Sequence, residues 1–159
     1  MQGCIDLTIM KPLIILLTGF GISLIILKLI TGTWSFSLSG CIAMSLMLVF
    51  TAIGHFAFTN GMEMMLPPSM PYKKAIVYVS GLIELAAAAG LVLPGFRLVT
   101  GWLLILFFTL ILPANIAASM RNVNYQKATY DGPGRSYLWF RIPLQLFFIT
   151  WVYWFGIHG

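Results

Sequence analysis

A glutamate lies in the middle of a long apolar run, a position where carboxyl groups are rare. Glu84 is flanked by Ile83 and Leu85 and then followed by four alanines. A charged side chain costs roughly 2.5–3.5 kcal/mol at the centre of a membrane helix, so this carboxyl is expected to be neutral or paired and to face a protein interior. Ser80 is one helical turn earlier on the same face. Both are candidates for a site inside the membrane.

Polar residues in the neighbouring apolar runs fall at a similar depth. An imidazole and a carboxyl group can exchange protons, and amide or guanidinium groups can orient a carbonyl or an anion. Arg141 and Gln145 are four residues apart and therefore share a helix face. The candidate ligand-binding or polar cluster, with no catalytic residue assigned, consists of His55, Ser80, Glu84, Asn115, Arg141 and Gln145.

Two prolines fall in the same layer and favour a cavity there. Pro113 and Pro143 each remove a backbone donor and disturb the carbonyl four residues earlier. Inside a membrane such carbonyls must be satisfied by protein or by water in a cavity. A structural alternative stays open, because the same polar side chains can hold helices together through interhelical hydrogen bonds.

Several kinds of site are excluded by the motifs that the sequence lacks. There is no Gly-rich phosphate loop, no H-E-x-x-H and no spacing typical of zinc, so no metal site is predicted. His55 and His158 are predicted on opposite sides of the membrane, which does not suit a haem. Cys4 and Cys41 stand alone, so thiol catalysis is not expected. No cofactor motif is evident, and a quinone is the one cofactor considered.

The composition indicates an integral membrane protein. Of 159 residues, 60% are hydrophobic and 8% are charged, whereas soluble domains carry about 25% charged residues. The mean hydropathy is +0.95. An all-α membrane protein with five transmembrane helices is predicted, because five runs can cross a core of roughly 30 Å: Pro12–Ile30, Cys41–Phe58, Ala75–Leu93, Leu98–Ala118 and Leu138–Ile157. The first run lacks a clean small-x-small cleavage site and is interpreted as retained.

Loop charges predict the orientation. Five crossings leave only Lys28 and Arg97 on one side and seven basic residues on the other: Lys11, Lys73, Lys74, Arg121, Lys127, Arg135 and Arg141. The positive-inside rule places the N-terminus in the cytoplasm and the C-terminus outside, in the bacterial inner membrane. This explains the net charge of +5 without a nucleic-acid partner. Tryptophans near the predicted helix ends, including Trp34, Trp139 and Trp151, are expected at the membrane interface.

Five short segments, taken in order, resemble the DoxX-like family of small integral membrane proteins. They are Gly54-His55-Phe56, Met64-Met65-Leu66-Pro67-Pro68, Val77–Glu84, Pro113–Ile116 and Leu138–Gln145, and the resemblance covers roughly residues 41 to 155. It implies a four-helix membrane domain at 41–157 with a cytoplasmic loop at 119–137. An extra helix at 12–30 would precede it, after a short cytoplasmic segment at 1–11. Some relatives are subunits of a thiosulfate:quinone oxidoreductase or partners in thiol and oxidative-stress systems, and a distant eukaryotic branch resembles receptor-assembly chaperones.

Two functions of different classes follow. The first is a membrane protein that binds a small molecule in a polar intramembrane site, as the membrane subunit of a quinone-linked oxidoreductase rather than as an enzyme by itself. The second is a non-catalytic assembly factor or scaffold, with a partner protein or a second copy against its helices and a purely structural polar cluster. A transporter ranks third, since the chain lacks the inverted repeats of many transporters.

Overall fold

The structure is a helical bundle. The computed structural model describes residues 7–132 and 134–159. In chain order it contains α1 (Leu7–Thr31), α2 (Phe36–Ala57), α3 (Thr59–Met65), α4 (Lys73–Val92), α5 (Arg97–Met120), α6 (Arg135–Trp151) and a C-terminal π-helix (Val152–His158). Within the described residues, five helices are long and apolar enough to cross a membrane: Met10–Thr31, Phe36–Ala57, Lys73–Val92, Arg97–Met120 and Leu138–His158. The prediction of an all-α protein with five such helices is confirmed.

The helices differ from the hydropathy pattern in several places. Helix α1 begins at Leu7 rather than Pro12, within the segment predicted as a short cytoplasmic start at 1–11. The second span begins at Phe36 rather than Cys41, because the serine hydroxyls of this stretch find backbone acceptors: Ser39 donates to the Ser35 carbonyl at 2.8 Å, and Ser37 donates to the Phe155 carbonyl at 2.9 Å. The loop predicted at 119–137 is shorter, since α5 continues to Met120 and α6 begins at Arg135. The seven-residue helix α3 was not predicted.

Helix α2 is the centre of the bundle. It packs against α1, α3, α4 and the π-helix, and its side chains Met44, Met47 and Leu48 are buried. The Ser45 hydroxyl lies 2.8 Å from the Ala88 carbonyl and ties α2 to α4. Side chains on the outside of the bundle are apolar, and Leu110 is 67% exposed. An outer surface of this kind suits a lipid environment.

The last turns of the chain form a π-helix that is fastened to α2. The Phe155 carbonyl accepts hydrogen bonds from Ser37 Oγ at 2.9 Å and from Cys41 Sγ at 3.3 Å. Trp151, which was predicted near the membrane interface, lies at the end of α6 and is buried against α2. Its side chain is only 9% exposed, because the indole N–H donates to the Gly40 carbonyl at 3.0 Å. These bonds hold the end of α6 against the centre of the bundle.

Candidate functional site

A cavity of about 320 Å³ lies among α2, α4, α5 and α6, next to the start of α1 and the end of α3. Its wall contains all six residues of the predicted polar cluster: His55, Ser80, Glu84, Asn115, Arg141 and Gln145. Most other wall residues are apolar, including Met47, Phe108 and Phe148. A mostly apolar pocket of roughly 300–1,000 Å³ with a few convergent polar groups is typical of small-molecule sites.

The carboxyl group of Glu84 is buried and has two partners on α2. The residue is 5% exposed. Its Oε2 accepts a hydrogen bond from the Thr51 hydroxyl at 2.8 Å. Its Oε1 lies 3.4 Å from His55 Nε2, which is within ion-pair distance. A carboxyl group at this depth is therefore paired, as its cost in an apolar environment requires.

His55 is held from its other side by α4. Its Nδ1 lies 2.9 Å from Ser80 Oγ and 3.2 Å from the Val77 carbonyl oxygen. Since a carbonyl oxygen can only accept, we assign the Nδ1 hydrogen to this side of the ring. Ser80 Oγ can then donate to the same Val77 carbonyl, 2.8 Å away, and accept from the imidazole. Ser80 thus orients His55 rather than contacting Glu84 directly.

In this arrangement His55 and Glu84 can share one proton. With Nδ1 protonated, a bare Nε2 and a bare carboxylate oxygen would face each other at 3.4 Å and repel. One further proton on either group removes that repulsion. In both cases the pair has zero net charge, which is the form that apolar surroundings favour. The chemistry available here is exchange of a proton with a bound molecule.

A glycine allows α2 and α4 to approach closely enough for this pairing. A Cβ at Gly81 would stand 2.9 Å from His55 Cβ, closer than real Cβ contacts. Gly81 is buried and lies one turn before Glu84 on α4. Its missing side chain therefore leaves room for the imidazole beside the carboxyl group.

The amides of Asn115 and Gln145 form a second polar group, on α5 and α6. Asn115 is 2% exposed and its Nδ2 donates to Gln145 Oε1 at 3.2 Å. Gln145 Nε2 in turn donates to the Phe108 carbonyl. This carbonyl is adjacent to that of Thr109, the one predicted to be disturbed by Pro113. The hydrogen bond between the two amides joins α5 and α6, which contain Pro113 and Pro143, so a structural role explains these contacts.

We expect Gln145→Leu to destabilise the protein by about 1–3 kcal/mol, because it leaves the buried Asn115 amide without its acceptor. The double variant Asn115→Leu/Gln145→Leu should recover part of this loss, since replacing both partners removes the unsatisfied group. Thermal unfolding in detergent measures both effects. If the stability loss of the double variant equals the sum of the losses of Asn115→Leu and Gln145→Leu, the pairing is contradicted.

The end of the cavity near α3 is closed by the connection between α5 and α6. The Arg121 guanidinium donates to the carbonyls of Met65 and Leu66 at 2.8 and 3.1 Å, which fixes the end of α3. Beyond Arg121 the chain folds back through the Asn124–Thr129 bridge. Tyr125 and Gln126, at the tip of this fold, belong to the cavity wall. The connection therefore covers this end of the cavity.

One residue of the candidate site was not selected from the sequence. Thr51 lines the cavity and donates to Glu84, yet it was not among the six candidates. Its signal was present in the sequence, because Thr51 is four residues before His55 and so shares its helix face. Cys41 is not in the cavity wall, and Cys4 lies outside the described residues. In the part of the chain that the structure describes, no group of three or more His, Cys, Asp or Glu side chains could hold a metal ion.

Comparison with known proteins assigns the family. A domain of unknown function, DUF8561, matches residues 44–156. The chain belongs to the DUF8561 family. No curated protein and no solved structure matches it. The DUF8561 range extends from α2 into the π-helix, contains all six candidate residues and leaves α1 outside.

Proposed function

We propose that this DUF8561 protein binds a lipid-soluble molecule with carbonyl groups, a quinone, in the cavity beside Glu84, as the membrane subunit of a quinone-linked oxidoreductase. The single observation that carries the proposal is the paired His55 and Glu84 in the wall of a mostly apolar cavity. Quinone reduction adds protons to carbonyl oxygens, so a group that shares a proton at low dielectric suits this ligand.

The surroundings of the pair also favour a flat, apolar ligand. Aromatic and methionine side chains make up much of the wall, including Phe50, Phe108, Met47 and Met62. Ile53 is in the wall and is 58% exposed. An opening beside Ile53 on α2 would give a lipid-soluble molecule a way in without passing through water.

The resemblance to DoxX-like proteins is a second support, since some of those proteins belong to a quinone-linked enzyme. Thiol chemistry by this chain alone is not part of the proposal.

We further propose that the end of the bundle with Lys11, Lys74 and Arg121 faces the cytoplasm across a bacterial inner membrane, in accordance with the positive-inside rule. Labelling of single cysteines placed at Asn60 and Gly95 tests this orientation from either side of the membrane.

Filling the cavity tests the proposal without touching its polar groups. Ala114 is in the wall, so Ala114→Trp should weaken the binding of decylubiquinone or a naphthoquinone analogue by about tenfold or more, which is ~1.4 kcal/mol. Ala86 on α4 is exposed and outside the wall, so Ala86→Trp is the matched control and should bind normally. Binding in nanodiscs is measured by quenching of the intrinsic tryptophan fluorescence of each variant, checked by a separation assay.

The alternative is an assembly factor or scaffold, and the Asn115–Gln145 pair is the observation that favours it. If neither quinone binds to the wild-type protein, or if both tryptophan variants bind as well as the wild type, the quinone proposal fails. A purely structural polar cluster would then be the better account of the site.

A further inference from the structure

A second concave surface lies beside the cavity, and the proposed quinone site does not use it. This groove has a volume of about 330 Å³ and is bounded by the end of α2, by α3, by the first turns of α4 and by the tip of the α5–α6 connection. Ala57, Phe58, Tyr125 and Gln126 belong to both walls. The two spaces are therefore neighbours with different linings.

The lining of the groove is polar and positively charged. Lys74 and Lys127 approach it from two different elements, the start of α4 and the α5–α6 connection. Asn60 and Tyr78 add neutral hydrogen-bonding groups, and no aspartate or glutamate lies in its wall among the described residues. Asp131 is the nearest carboxyl group along the chain to Lys127. The hydrogen bond from Thr129, and more weakly the charge of Lys127, lower the pKa of Asp131. With two lysines and no carboxylate in its wall among the described residues, the groove is positively charged.

The position of the groove along the bundle fits the layer of lipid headgroups. It lies where α2 ends at Ala57 and where α4 begins at Lys73, the two helix ends that mark the limit of the apolar spans. Phe56 and Tyr78 stack in the same place with ring centroids 5.7 Å apart, and aromatic rings are favoured at this level of a membrane. Anionic lipid phosphates lie at the same depth, and basic pockets between transmembrane helices suit them.

We propose that the groove binds a phosphate group between Lys74 and Lys127, and that an anionic membrane lipid supplies it. The claim is independent of the quinone proposal, because it rests on other residues. A lysine close to an anionic lipid contributes about 1 kcal/mol, so each substitution should weaken binding roughly fivefold. Free phosphate carries the same anion as the lipid headgroup, so the experiment must distinguish these two sources.

The chain offers a closely matched control. Lys73 and Lys74 are adjacent at the start of α4, but only Lys74 is in the wall. Lys74→Gln and Lys127→Gln should each reduce the phosphatidylglycerol retained by the full chain in native mass spectrometry, and the double variant should reduce it further. Lys73→Gln makes the same change in charge and should retain the lipid like the wild type. Melting temperatures of all variants confirm that they are folded.

Two binding measurements at constant ionic strength, one with phosphatidylglycerol and one with inorganic phosphate, distinguish a lipid headgroup from free phosphate. Retention of phosphatidylglycerol over phosphatidylcholine that depends on Lys74 assigns the site to a lipid. Lys74-dependent binding of inorganic phosphate in phosphatidylcholine nanodiscs also supports the phosphate site but assigns free phosphate as its source. The proposal is overturned if Lys73→Gln weakens binding as much as Lys74→Gln, or if the wild type binds neither ligand.

Discussion

Replacement of Glu84 is expected to separate ligand binding from folding. Glu84→Gln keeps the size of the side chain and an oxygen that can accept from Thr51, so the protein should fold with nearly unchanged stability. It cannot share a proton with His55. A hydrogen bond that involves a charged group contributes about 1.5–3 kcal/mol, so quinone affinity should fall roughly tenfold to a hundredfold. Titration of both proteins in nanodiscs measures this difference.

Glu84→Ala should be more damaging, because it also leaves Nε2 of the partly buried His55 ring without the carboxyl group that faces it. A loss of about 1–3 kcal/mol in stability is expected in addition to the loss of binding. Glu63→Gln makes the same chemical change at an acid outside the cavity wall and serves as the control for binding. If Glu84→Gln binds quinone like the wild type, the carboxyl group of Glu84 is not needed for binding. If it destabilises the protein as severely as Glu84→Ala, the role of this carboxyl group is structural.

Gly61→Ala is the second substitution with a large expected effect. A Cβ at Gly61 would overlap the Tyr125 carbonyl group and stand 2.7 Å from its Cα. Because these are backbone atoms, the α5–α6 connection must move away from α3. Tyr125 lies in the walls of both the cavity and the groove, so one displacement should weaken the retention of both ligands. Overpacking of this kind typically costs about 1–3 kcal/mol.

The displacement can be followed directly. Faster proteolysis or hydrogen exchange over residues 121–132 should accompany Gly61→Ala, while the transmembrane helices keep their protection. A Cβ at Gly21 on α1 meets nothing within 4 Å, so Gly21→Ala is the matched control and should behave like the wild type. Unchanged exchange in the connection of the Gly61 variant would contradict the close contact between α3 and Tyr125.

The sequence was most informative where one strong physical effect acts alone. Long apolar runs predict five helices able to cross a membrane, because only a helix satisfies its own backbone in lipid. The burial of Glu84 and Asn115 followed from the cost of polar groups among apolar neighbours. The direction in which each helix crosses the membrane then predicted that polar residues of four different helices lie at a similar depth. The wall of the cavity contains all of those residues.

The features that were missed depend on contacts between distant segments. The π-helix is stabilised by Ser37 and Cys41, which lie more than a hundred positions earlier and give no local signal. The indole N–H of Trp151 donates to the Gly40 carbonyl, which lets this side chain be buried. Hydropathy alone does not predict such a contact between distant residues. The groove requires α3 and the α5–α6 connection to meet at Gly61. Neither the groove nor its two lysines could be identified before these elements were placed.

The most direct test of the quinone site is the identity of the small molecule that the protein retains when its membrane is solubilised. Organic extracts of the wild type, Ala114→Trp and Ala86→Trp, each purified in native nanodiscs, can be compared by mass spectrometry per mole of protein. We expect a quinone in near-stoichiometric amount in the wild type and in Ala86→Trp, with a large depletion in Ala114→Trp. Equal quinone in all three samples, or none above the level of the surrounding lipid, would contradict a quinone site beside Glu84.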